Sequence, residues 1–264
     1  MEREIWSVEK MRGLFDLSGK VAIVTGGSGA FGQAAAKGLA AFGASVVLTS
    51  RRVENLEAAA TDIAATGARV LPISCDATDA ASVEAMVQQT VDEFGQVDIL
   101  VSGAGQANRF AAEDFPVDEW QKVMDSLVKG TFIACQAVGK RMIAQGSGKI
   151  ITVGSVRGEL GHPGGYSAYG TAKGAVHLLT KQLATEWAKY HINVNSIAPC
   201  IFWTPLTQQV LDDPELYKIF MQRIPWGRAA DPQDFMGATV YLASAASDFV
   251  TGDILMVDGG SSAG

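Results

Sequence analysis

The sequence predicts an α/β fold, a single-domain doubly wound parallel sheet of about seven strands with helices on both faces. Short apolar runs at 21–25, 45–49, 69–74, 97–101, 149–154, 192–197 and 253–257 are mostly continuous in Val, Ile and Leu. Such runs mark strands buried on both faces, where a half-exposed strand would alternate apolar and polar. Helix-length amphipathic stretches such as 53–66 and 80–94 separate them, and that alternation builds right-handed crossovers onto a parallel sheet. Gly and Pro are spread singly through turns, with no linker, repeat or low-complexity segment, so residues 1–264 form one domain.

In an open parallel sheet ligands sit beyond the carboxyl ends of the strands, so the residues that follow each run are the ones placed to bind. The first, Val21–Thr25, enters Gly26-Gly-Ser28-Gly-Ala30-Phe31-Gly32 and then a helical pattern over 33–42. Glycines between a strand and a helix let a diphosphate approach the free N–H groups of the helix start. A flexible turn is the plainer alternative. The second run ends without the acid that accepts from a ribose 2′-OH in NAD sites; Ser50 and Arg51 stand there instead. A charge-assisted bond from arginine to a 2′-phosphate is worth roughly 1.5–3 kcal/mol, hence about 10- to 150-fold preference for NADP(H) over NAD(H). After the third run, Asp76 beside Ala77 is placed to accept from an adenine amino group or to cap the helix that begins near Asp79.

The fourth run leads into Ser102-Gly103-Ala104-Gly105 and, further on, a helix through Trp120 and Gly130. The fifth closes on Val153-Gly-Ser155. Tyr169-Gly-Thr-Ala-Lys173 then opens a helix continued by Val176, Leu179 and Leu183. Tyr169 and Lys173, four apart, share one helix face. A phenol of pKa near 10 is a poor base at neutral pH, and a neighbouring ammonium favours its phenolate. Tyr169 is thus suited to exchange a proton with a carbonyl or alcohol oxygen that Ser155 holds. The sixth and seventh runs complete the sheet.

Composition closes off other classes. The chain carries 21 basic and 28 acidic residues, net −7, without the basic footprint that phosphate-neutralising nucleic-acid binders need. No apolar run reaches the ~18 residues of a membrane helix, and the start MEREIWSVEKMR is too charged for a signal peptide. Cys75, Cys135 and Cys200 are odd in number and widely spaced, the usage of a cytoplasmic protein with reduced thiols. His162, His177 and His191 lack metal-ligand spacing, so no metal site is expected.

Taken together, Thr25-Gly-Gly-Ser-Gly-Ala-Phe-Gly32, Asp76, Asp98-Ile-Leu-Val-Ser-Gly-Ala-Gly105, Ser155, Tyr169-Gly-Thr-Ala-Lys173, Asn195-Ser-Ile-Ala-Pro199 and Thr251-Gly-Asp-Ile-Leu-Met-Val-Asp-Gly-Gly260 resemble the short-chain dehydrogenase/reductase family. The resemblance runs from about Leu17 to Gly260. It implies a Rossmann-like oxidoreductase, commonly a homotetramer or homodimer. Hydride would pass between a nicotinamide cofactor and a secondary alcohol or ketone. Catalysis would rest on Ser155, Tyr169 and Lys173, with Lys173 also holding the nicotinamide ribose. Ser102, Gly103, Ala104, Pro199, Phe202 and Thr204 join the cofactor site, and about 200–226 forms a substrate lid after an N-terminal extension, 1–15. The loop from Ser155 to Gly165 looks most like gluconate- or sugar-alcohol-type members, pointing to a polyol or sugar acid. Arg157, Asn108, Arg109, His162, Tyr166 and Trp203 are the candidates to receive it.

Four departures from the family pattern stand out: Ala30 and Cys200 for glycines, Ser102-Gly103 for Asn-Asn, and Leu127 for the Asn that helps anchor a water behind the lysine. They motivate an alternative, a catalytically weak cofactor-binding regulator of the same fold. A 3-oxoacyl-type ketoreductase is a further alternative.

Overall fold

Strands apolar at every position need a core on each side, and the chain supplies two. The computed structural model describes residues 7–204 and 207–263. Among these, β1 (Val21–Thr25), β2 (Ser45–Ser50), β3 (Val70–Ser74), β4 (Ile99–Ser102), β5 (Gly148–Val153), β6 (Ile192–Pro199) and β7 (Ile254–Val257) form one parallel sheet, in the order β3-β2-β1-β4-β5-β6-β7. The seven predicted runs are these seven strands. Successive residues of β1 feed opposite cores. Ala22 and Val24 join Val46, Leu48 and Val101, while Ile23 joins Val47 and Leu100.

The first core packs against α2 (Ala30–Ala41), α3 (Glu57–Ala64) and α10 (Pro232–Ala243). The second packs against α4 (Ala80–Phe94), α6 (Gly130–Gln145) and the later turns of α7 (Ser167–Trp187). Crossover connections carry the chain outward from β1 to β3, then back past β1 to β4 and on to β7. The reversal opens a crevice between the ends of β1 and β4.

Differences from the predicted elements have local causes. β4 starts two residues late because the Gln145 side chain bonds both backbone groups of Val97. The stretch 53–66 opens as a 3-10 turn, Val53–Leu56, before α3. The helix through Trp120 is α5 (Val117–Met124), joined to α6 by a π-helical turn, Asp125–Lys129.

In the N-terminal segment, α1 (Val8–Gly13) is capped by Ser7 and buries no residue; the first six residues of the expected extension lie outside the described residues. The expected lid holds α8 (Gln208–Leu211) and α9 (Pro214–Met221), the latter capped by Asp213. Residues 205 and 206 of that lid also lie outside the described residues. Among the described residues no helix is long and apolar enough to cross a membrane, and no cluster of His, Cys, Asp or Glu could hold a metal.

Candidate active site

The turn after β1 has no room for side chains at two of its glycines. Gly26 takes φ +71°, and a Cβ there would stand 2.8 Å from the Gly103 oxygen and 2.9 Å from the Ala104 nitrogen. One on Gly32 would stand 2.3 Å from the Gly26 oxygen. Only hydrogen fits at either position, so the β1 and β4 ends meet closely. Thr25 Oγ1 ties them by accepting from the amides of Gly103 (3.2 Å) and Ala104 (3.3 Å). Gly29 is the N-cap of α2, without a side-chain cap bond and with no acid in the first turn. Gly26, Ser28 and the first residues of α2, Ala30, Phe31 and Gly32, thus surround a helix start suited to an anion. A diphosphate fits this cradle.

Two expected cofactor residues point inward. The Phe31 ring packs on Phe202 and Phe235, with centroids 5.0 and 4.9 Å away. Phe202 is 1% exposed. Its ring belongs to the core and not to the cofactor site where it was expected; its carbonyl accepts from Thr207 Oγ1.

At the ends of β2 and β3, Ser50 Oγ donates to the Arg52 carbonyl, and Ser74 Oγ donates to that of Arg51. The Arg51 side chain is exposed. Asp76 Oδ1 accepts from the amide and hydroxyl of Thr78, at 2.9 and 2.7 Å. Those bonds, chiefly the backbone one, with the charge of Arg51 beyond them, hold its carboxyl below the usual range. Asp79, not Asp76, caps α4 through the amides of Ala81 and Ser82. Ala77 lies with its carbonyl against Gly130 at the start of α6.

Ser155, Tyr169 and Lys173 come together beyond β5. Ser155 is buried just past the strand, and its Oγ accepts from the Arg157 amide at 3.1 Å. Lys173, 7% exposed, donates from Nζ to the Val153 carbonyl at 2.6 Å, and Nζ lies 5.7 Å from the centre of the Tyr169 ring. Burial lowers the Lys173 pKa to about 8. The phenol departs from the expected behaviour. Burial pushes Tyr169 above its ordinary value, the Ser155 hydroxyl acts against that, Tyr166 adds to it and Arg157 opposes it. Lys173 shares the face of Tyr169 but aims its charge at a strand carbonyl.

A family model described as enoyl-(acyl carrier protein) reductase matches residues 27–262. The chain belongs to the short-chain dehydrogenase/reductase family. As a member it is an oxidoreductase of the nicotinamide-dependent class. It is 40% identical over 247 residues to gluconate 5-dehydrogenase of Gluconobacter oxydans, covering 94% of this chain and 96% of the relative. It is 41% identical over 251 residues to 2-dehydro-3-deoxy-D-gluconate 5-dehydrogenase of Dickeya dadantii, covering 93% and 96%. A gluconate 5-dehydrogenase from Burkholderia cenocepacia, solved in complex with NADP and tartrate, superposes with TM-score 0.91 at 37% identity, covering 96% of this chain and 98% of the other.

Within this family member, the position of the pattern's Asn falls in the π-helical turn. Leu127 is 5% exposed there and packs with Val123, Ala168 and Ala172. A Cβ on Gly105 would lie 2.3 Å from Leu127 Cδ2, so the loop after β4 presses on this leucine. Neighbouring Ser126 instead accepts from the Gln106 amide at 3.0 Å.

The substrate candidates divide. Arg109 donates to Tyr166 Oη at 3.0 Å with its guanidinium over that ring; Arg157 lies 5.9 Å and His162 4.9 Å from the same ring, which itself lies 5.9 Å from Tyr169. His162 is held below its ordinary pKa by burial, then by the charges of Arg157, Arg223 and Arg109. Arg223, just past α9, thus adds a third guanidinium to this cluster, one that the sequence did not single out. Asn108 instead donates to Glu119 at 2.7 Å, which turns it toward α5. Trp203 stacks on Tyr217 of α9. Pro199 is buried at the end of β6, and Thr204 bonds Thr207 at 2.9 Å.

Proposed function

We propose that this chain is an NADP(H)-preferring dehydrogenase/reductase that interconverts a secondary alcohol and a ketone on a sugar acid. The observation that carries the reading is the aromatic and cationic path from Tyr169 through Tyr166 to Arg109, Arg157 and His162. Among the described residues, none of Arg109, Arg157 and Arg223 lies in an ion pair. A carboxylate bound there would be matched in charge while its carbon chain reached the phenol. The names of the relatives, gluconate and 2-dehydro-3-deoxy-D-gluconate 5-dehydrogenases, support the same substrate class.

In this reading the turn of Gly26, Ser28, Ala30, Phe31 and Gly32 holds the diphosphate. Ser50 and Arg51 meet the 2′-phosphate, and Asp76 and Ala77 meet the adenine. Ser102, Gly103, Ala104, Pro199 and Thr204 complete the contacts. When bound, the nicotinamide supplies or takes the hydride at the substrate carbon. Tyr169 gives a proton to the ketone oxygen in reduction and takes it back in oxidation. Its raised pKa keeps the phenol protonated at neutral pH, the form that serves reduction. Ser155 hydrogen-bonds the reacting oxygen, and Lys173 holds the ribose beside the phenol. Cysteine usage supports a cytoplasmic protein, and family membership supports a homotetramer or homodimer with 200–226 as a lid. Oxidation of NADPH with 5-keto-D-gluconate and with neutral ketoses tests the reading; turnover confined to the neutral ketoses would overturn the sugar-acid assignment.

A further inference from the structure

The face of α7 that carries Tyr169 and Lys173 continues one turn further to His177, 5% exposed. Its ring sits where the chain from Gly154 to Gly158 wraps around it. A Cβ on Gly154 would stand 2.4 Å from His177 Nε2, and one on Gly158 would stand 2.6 Å from Cε1. The two glycines leave space that the imidazole fills, and between them lies Ser155. The Ser155 amide points at His177 Nε2, at 3.4 Å. Nδ1 makes no hydrogen bond and lies 3.7 Å from Glu159 Oε1. An amide needs an acceptor, so Nε2 carries the lone pair and the neutral ring carries its proton on Nδ1, toward Glu159.

We propose that His177 is a positioning residue for Ser155: its unprotonated Nε2 accepts the Ser155 amide and holds the turn that presents the serine hydroxyl to Tyr169. The catalytic consequence rests on the function proposed above; the hydrogen bond does not. Glu159 faces the ring from the turn, and Lys173 and Lys181 from its own helix. Burial is the main force keeping the ring below its ordinary pKa, with Glu159 opposing and the two lysines assisting. A protonated ring would set N–H against N–H at Ser155 and add a cation near Lys173.

The test compares His177→Gln with His177→Leu. Gln places an amide oxygen as many bonds from Cα as Nε2, whereas Leu offers no acceptor. Nitrogen-15 NMR of the histidine-labelled protein at pH 7, with the His177 signal identified by its loss in His177→Gln, should show a neutral ring protonated at Nδ1. The Ser155 amide should exchange with solvent at least about tenfold faster in the Leu variant and within threefold of wild type in the Gln variant. With NADPH and 5-keto-D-gluconate, kcat should fall about tenfold or more in the Leu variant, with KM for NADPH unchanged and activity restored by Gln. The Gln variant should also lose an acid limb lying below the ordinary histidine pKa. A ring protonated at Nε2, or Leu and Gln variants alike in amide exchange, would overturn the proposal. If wild type leaves 5-keto-D-gluconate untouched, the substrate reading has failed, and the NMR and exchange results alone decide for or against His177.

Discussion

Lys173 reaches back from α7 and donates to the carbonyl of Val153 at 2.6 Å, the last residue of β5. The bond links the helix that carries Tyr169 to the strand end that leads to Ser155. It also keeps an ammonium in a nearly closed space, 7% exposed.

Burying that charge costs stability. A pKa lowered from 10.5 to about 8 corresponds to on the order of 3 kcal/mol, at about 1.4 kcal/mol per pKa unit. The sign follows from proton counts. Between these values the unfolded chain holds the proton and the folded chain has released it, so stability rises with pH there, and below about 8 the full cost is present. Lys173→Met should therefore melt higher than wild type at pH 7 while losing turnover. Thermal melts from pH 7 to 10.5 should show the advantage shrinking above about 8; a lower melting point at pH 7 would mean the lysine stabilises the fold.

Arg51 stands beyond β2 where an NAD site carries an acid. Arg51→Ala should reduce the NADPH-over-NADH preference in kcat/KM by about 10- to 150-fold, the worth of one charge-assisted bond. Unchanged selectivity would remove Arg51 from the site.

Arg109 and Arg157 both approach the Tyr166 ring. Replacing either by Ala should raise KM for a sugar acid about tenfold, a charge-assisted bond discounted for solvent at an exposed position. KM for a neutral ketose should stay within twofold. An equal rise for both would assign the arginines to loop packing.

The sheet was legible because strands covered on both faces leave an unbroken apolar record, as 21–24 and 46–48 do. The glycine turn was legible because Gly26 and Gly32 are each forced by a backbone atom under 3 Å away. What depends on a distant partner was not. Nothing local in Trp120–Gly130 marks the π-helical turn, which is pressed from the loop after β4 at Gly105. The family pattern assigns Phe202 to the cofactor site, but its ring is claimed by Phe31 and Phe235. The shared face of Tyr169 and Lys173 followed from spacing. The direction of the phenol's pKa did not, because burial and the aim of Nζ are tertiary facts. His177 could have been found by extending that spacing one more turn.

Tyr169→Phe removes one oxygen and leaves the ring in place against Tyr166. Single-turnover oxidation of NADPH by this variant, with binding followed by fluorescence, tests the acid/base assignment most directly. The hydride step should be lost by at least about 10²-fold, the smaller end of what a positioned acid contributes, with NADPH affinity within threefold of wild type. A variant that still turns over at the wild-type rate would show that the proton comes from another group.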